Sequence, residues 1–187
     1  MQQLSLDQRL DRIGQHIVRA RLFLDLWYYF EENDTRQHII DTMREYNEFF
    51  RFTPHAYLVT YGIYIAGVFE KRRDTINFWV LIREMTAGGC LNGATAASVS
   101  NLMTKTKALA GKVSILRHNA FAHRSSRMSC DDVFGLAKVS ASELRELTEV
   151  ALDLFNALAA VRGLPMQHFS PLPVEDAKSM MATLGKA

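Results

Sequence analysis

Cysteine is scarce in this chain. Only Cys90 and Cys130 occur, in no CxxC pair, which fits a reduced cytosol and leaves a disulfide open without implying one. The six histidines (His16, His38, His55, His118, His123 and His168) show no HExxH or other zinc-ligand spacing, so neither a metal site nor a cofactor is expected. No secretory signal is read at Met1-Gln2-Gln3-Leu4-Ser5. The longest apolar run, residues 56–69, falls short of the ~20 residues a membrane span needs. A cytoplasmic protein with no membrane contact is the expectation. Repeats and low-complexity tracts are also missing.

The most telling absence is of acid. Between Glu84 and Asp131 there is no aspartate or glutamate. The same window holds Lys105, Lys107, Lys112, Arg117, Arg124 and Arg127, a local +6 in a chain whose net charge is +2. Such a segment attracts polyanions, or else is a solvated helix face.

The periodic signals that remain are helical. Leu6, Leu10, Ile13, Ile17, Ala20, Leu24 and Trp27 recur four and three apart, one stripe on a helix to about Glu32, and Ser5 with Gln8 reads as its capping box. Asp34 with Gln37 would cap a second helix through about Phe50. Thr53-Pro54 opens a third, which bends or breaks at Glu70-Lys71-Arg72-Arg73-Asp74. Strand is the rival reading for residues 57–69, but no hairpin turn or partner strand follows. Residues 88–93 form a linker, and a fourth helix runs from about Thr95 to His123 or beyond. Ser140 with Glu143 caps a fifth, stopped by Gly163 and Pro165. Phe49, Phe50, Phe52, Phe78 and Trp79 are assigned to the core. The expected architecture is all-α, a bundle of four to six helices in one domain over residues 1–187, with 170–187 a proline-containing tail ending in a short Met-containing segment open to a helical reading.

Arginine followed after four to six residues by histidine occurs three times, as Arg9 to His16, Arg117 to His123 and Arg162 to His168. Only the middle pair follows a long basic helix, has His118 and Asn119 as polar neighbours, and is followed at once by Arg124. A guanidinium binds phosphate oxygens through two donors, and an imidazole moves a proton near neutral pH.

The string Ile115-Leu116-Arg117-His118-Asn119-Ala120-Phe121-Ala122-His123-Arg124 resembles the signature of the HEPN superfamily, and its Ala-His-Arg ending the branch of U-type abortive-infection proteins in phage defence. The stretch from Tyr64 to Ile76, where Asp74 follows an aromatic-rich helix, is similar to that branch too. The resemblance implies a helical homodimer and, in active members, a metal-independent endoribonuclease in a phage-defence or toxin–antitoxin setting, where an antitoxin protein can be a partner. Two positions depart from the pattern. His118 stands where an asparagine or aspartate commonly follows the arginine, and Ser125 stands where some HEPN toxins carry a tyrosine modified by a partner enzyme.

Geometry gives its own reason for a dimer. Six residues turn an α-helix by roughly 600°, leaving Arg117 and His123 about 120° apart, so two copies in an isologous contact would build one shared groove. Asn119, His123 and Arg127, each four apart, would line it. In this reading His123 is general base or acid, Arg117 holds the phosphate, Asn119 orients, and His118 is a second acid. Arg124, Arg127, Lys105, Lys107 and Lys112 contact the RNA backbone. Asp74 is structural, positioning Arg117 or capping a helix. The competing readings are a non-catalytic bundle of the same family, binding RNA, nucleotide or protein, and a scaffold with a solvated basic helix.

Overall fold

The computed structural model describes residues 4–118, 135 and 137–186, and among them the only regular structure is helical. The expected strand rival at residues 57–69 is therefore a helix. Eight helical segments follow in order: α1 (Leu6–Glu31), α2 (Asn33–Glu45), the single turn α3 (Asn47–Phe50), α4 (Thr53–Phe69), α5 (Phe78–Ala87), α6 (Gly93–Leu116), α7 (Ala141–Val161) and α8 (Leu172–Leu184). This exceeds the four to six expected. Tyr46 breaks the second predicted helix, residues 70–77 separate α4 from α5, and the C-terminal stretch is a helix in its own right. None of the described helices is long and apolar enough to cross a membrane.

The caps at Ser5 and Ser140 form as full capping boxes, with Gln8 and Glu143 reaching back to the cap backbone. The α2 cap differs from expectation. Glu32 accepts from the Thr35 backbone N–H, and this hydrogen bond holds its carboxyl below the usual range. At the end of α7, Gly163 takes φ +64 while the Leu164 N–H reaches back to the Ala159 carbonyl at 2.9 Å, a left-handed termination suited to glycine.

Helix α1 is the spine. Its stripe Leu10, Ile13, Ile17, Ala20 and Leu24 is wholly buried against α4 (Leu58, Tyr61, Ile65) and α7 (Leu147, Ala151, Leu154). Gly14 lets α1 approach α7 closely, since a Cβ there would lie 2.7 Å from the Phe155 ring. Buried Tyr61 donates its hydroxyl to the Leu144 carbonyl at 2.9 Å, tying α4 to α7, and burial pushes its phenol well above the ordinary value. Helix α6 packs on α7 and α4 through Val99, Met103 and Val113.

A second cluster joins Tyr29, Phe30, Met43 and Phe50 to Ala177 and Met181, so the expected tail is a helix docked on α1 and α2. Three aromatics leave the core to which they were assigned. Phe49 and Phe52 are 57% and 60% exposed beside the α3 turn, and Trp79 is 40% exposed. Phe50 and Phe78 are buried as expected.

Candidate nucleic-acid interface

Helix α6 turns one narrow face away from the core. Lys107, Ala110, Gly111, Ser114, Arg117 and His118 recur at spacings of one to three residues that alternate around a helical stripe, and all line one cavity of about 600 Å³. The opposite wall is the end of α4 (Ala66, Phe69, Glu70) and the segment after it (Lys71, Arg72), closed by Trp79 at the start of α5. Small residues make the room. A Cβ on Gly111 would meet nothing within 4 Å. The volume falls in the range of ligand-binding clefts.

Asn77 holds the far wall in place. It is fully buried, donates its amide to the Arg72 carbonyl at 2.6 Å and the Thr75 carbonyl at 3.2 Å, and accepts from the Val80 N–H at 3.0 Å. One side chain thus closes the 70–77 connection and caps α5. Trp79 is fixed by its indole N–H, which donates to the Phe69 carbonyl at 3.2 Å, and the Lys71 ammonium lies 4.9 Å from its ring centroid.

Four cationic residues line the cavity (Lys71, Arg72, Lys107, Arg117) against one carboxylate, Glu70. Arg117 Nη1 donates to Glu70 Oε1 at 3.3 Å, with both side chains partly exposed. His118 is exposed at the lip, and its Nδ1 lies 2.8 Å from the Ser114 carbonyl. A carbonyl only accepts, so Nδ1 carries the proton and Nε2 keeps the lone pair in the neutral ring.

The three arginine–histidine pairs separate on geometry. Arg9 is clamped by both oxygens of Glu84 at 3.0 and 2.5 Å, and Arg162 by both oxygens of Asp7 at 2.7 and 3.1 Å. Those arginines stitch α1 to α5 and to the end of α7, and their hydrogen bonds hold Glu84 and Asp7 below the usual carboxylate range. Arg117 has one long contact and faces the cavity.

Other expected residues fall differently. Asp74 does not reach Arg117. Its carboxylate is held bidentately by Arg72 at 3.0 and 2.6 Å, which keeps its pKa down, and α5 is capped by Asn77. The carboxylate that meets Arg117 is Glu70. Lys112 is not available as a backbone contact, because its ammonium bridges the Lys138 carbonyl at 2.8 Å and Glu143 at 2.5 Å, joining α6 to the start of α7. Lys107 lines the cavity, whereas Lys105, two residues away, is exposed on another face. Asn119, His123, Arg124, Ser125 and Arg127 lie outside the described residues. Glu70, Lys71 and Trp79 were missed as site residues. The signal available was the charged run 70–74 followed by a tryptophan, read as a helix break and core.

The match of a family model identifies the chain as a HEPN-type protein of abortive infection. It belongs to the AbiU2 family, whose model matches residues 4–178. Comparison with curated proteins and with solved structures returned no match.

Proposed function

We propose that the chain is a metal-independent endoribonuclease of phage defence, working as a homodimer, with residues 1–187 forming one HEPN-like domain. The observation that carries this reading is Arg117. Alone among the arginines of the three motif matches it is unclamped, and it faces a cationic cavity of nucleotide size. Family membership and the string Arg117 to His123 support the same reading.

In the proposed reaction the ribose 2′-oxygen attacks the adjacent phosphorus as His123 takes its proton. A bond forms between the 2′-oxygen and phosphorus, and the bond from phosphorus to the 5′-oxygen breaks. A protonated imidazole, His118 or His123 of either protomer, returns a proton to the leaving 5′-oxygen. Arg117 exchanges Glu70 for the phosphate and neutralises the charge that builds on it. Asn119 orients His123, and Arg124, Arg127 and Lys107 hold the backbone. Products carry a 2′,3′-cyclic phosphate and a 5′-hydroxyl. A neighbouring antitoxin protein would act by covering this groove.

The test is incubation of labelled RNA with purified protein in EDTA, beside Arg117→Ala and His123→Ala. Cleavage with cyclic-phosphate ends is expected, falling about 10²–10⁴-fold for His123→Ala. Equal cleavage by all three proteins overturns the assignment. Intact RNA throughout, with a salt-sensitive gel shift, leaves the non-catalytic RNA-binding reading in its place.

A further inference from the structure

Trp79 has no role in the reaction above, yet its placement calls for one. An indole that has lost about 60% of its accessible surface still keeps 40%, and the structure fastens it there. Its N–H is spent on the Phe69 carbonyl, so the ring cannot swing into solvent without losing that bond. Its position follows from Asn77, which caps α5 two residues earlier and is itself fully buried. Trp79 also lines a cavity with room, whose α6 wall includes the small residues Ala110 and Gly111. Cations surround it: Lys71 sits over the ring, and Lys107 and Arg117 stand along α6. Lys71 and Lys107 have no ion-pair partner among the described residues.

A tryptophan fixed by its indole N–H, with one ammonium resting over its ring and a second along the α6 wall, suits single-stranded nucleic acid, because a base takes the ring face as the lysine over it moves to a phosphate. A base still paired in a duplex stacks only on its neighbours. We propose that Trp79 is the stacking platform for one unpaired base of the RNA, with Lys71 and Lys107 on its flanking phosphates, so that the site selects unpaired over paired RNA. The proposal rests on the RNA reading of this cavity and adds the base subsite to it.

The test separates binding from cleavage. A labelled 2′-O-methyl oligonucleotide cannot supply the attacking hydroxyl, so its affinity reports the subsite even in a protein that cuts nothing. Fluorescence polarisation is measured for the single strand and for a blunt duplex of the same sequence. Proteins compared are wild type, Trp79→Phe, Trp79→Ala and Gly111→Leu, each checked for unchanged helicity. Wild type is expected to prefer the single strand. Trp79→Ala should weaken single-strand binding roughly tenfold or more with little effect on the duplex. Trp79→Phe, which keeps a π-face, should recover most of the loss. Gly111→Leu fills the cavity from α6 without touching the tryptophan or a charge, and should also weaken the single strand selectively. Equal affinity of wild type and Trp79→Ala for the single strand overturns the subsite, and so does an equal loss for strand and duplex. Either result leaves the RNase assignment standing if RNA is still cut. Selective loss without any cleavage supports the subsite and sinks the nuclease.

Discussion

Arg117 is held lightly, and the grip comes from Glu70. At 3.3 Å, with both groups partly exposed, such a pair is worth about 0.2–1 kcal/mol, too little to close the site and enough to tax an incoming phosphate. Glu70→Gln removes the competing charge and keeps the side-chain shape. RNA affinity of that variant should rise about two- to fivefold, read by polarisation at low salt, with the gain shrinking as salt screens the pair. Affinity that is unchanged or weaker would mean that Glu70 supports the bound state. His118 shows how one contact sets chemistry at this scale. The Ser114 carbonyl accepts from Nδ1 and so orients the ring at the cavity lip.

Among elements, the segment 70–77 decides the site. Five charged residues in a row end α4, and α5 restarts at an asparagine cap. Asn77 ties this connection to α5 through the Arg72 and Thr75 carbonyls and the Val80 N–H. Replacing it by alanine removes an N-cap, at about 1 kcal/mol, and the amide donor to the Arg72 and Thr75 carbonyls in a part-buried place, at about 1 kcal/mol more. Asn77→Ala should therefore lower unfolding free energy by about 2 kcal/mol in urea titration. At protein concentrations where it stays folded, it should also lose single-strand preference, because the Trp79 wall is set by the same residue. Wild-type stability in this variant would show that the connection is organised elsewhere. On α6, away from the cavity lining, Lys112 illustrates the competition between function and packing. A lysine in a basic window is drawn to Glu143, a carboxylate already fixed by its capping box, and this bridge keeps Glu143 below the usual carboxylate range.

At the scale of the molecule, His16 and the ion-paired carboxylates of the seams pull one way as pH falls. His16 is half-buried edge-on to Tyr64, and desolvation, reinforced by Arg19 and Arg12, lowers its pKa from 6.5. The unfolded chain therefore binds this proton more readily, and stability falls as pH drops through about 6.5. Asp7, Glu84 and Glu143 have folded values held below 3.8, 4.5 and 4.5, chiefly by hydrogen bonds from Arg162, Arg9 and Lys112. Their contribution is complete above the ordinary carboxylate range and is lost as pH falls through their lowered values. The melting temperature should be level from pH 8 to about 7, decline gently below 6.5, and drop steeply in the acid range. His16→Gln should remove the gentle limb and leave the steep one. A level profile down to pH 5 in wild type would show that His16 is hydrated.

The chain's own pattern determined the helical class and most of the helices. The four-and-three stripe of α1 buries from Leu10 to Leu24, with Leu6 and Trp27 partly buried at its ends, and the Ser5–Gln8 and Ser140–Glu143 boxes form, because capping and amphipathicity act over a few residues. Family membership was legible too, from the Ile115–Arg124 string and the Tyr64–Ile76 stretch. What the sequence left open is which charges meet, since an ion pair depends on where two helices diverge. Asp74 and Glu70 are equally acidic in the sequence and stand four positions apart in the 70–77 connection, and only the tertiary structure turned Glu70 toward Arg117. Trp79 reads as core by its hydrophobicity, and became a cavity wall because α4, α5 and the small-residue face of α6 leave room beside it.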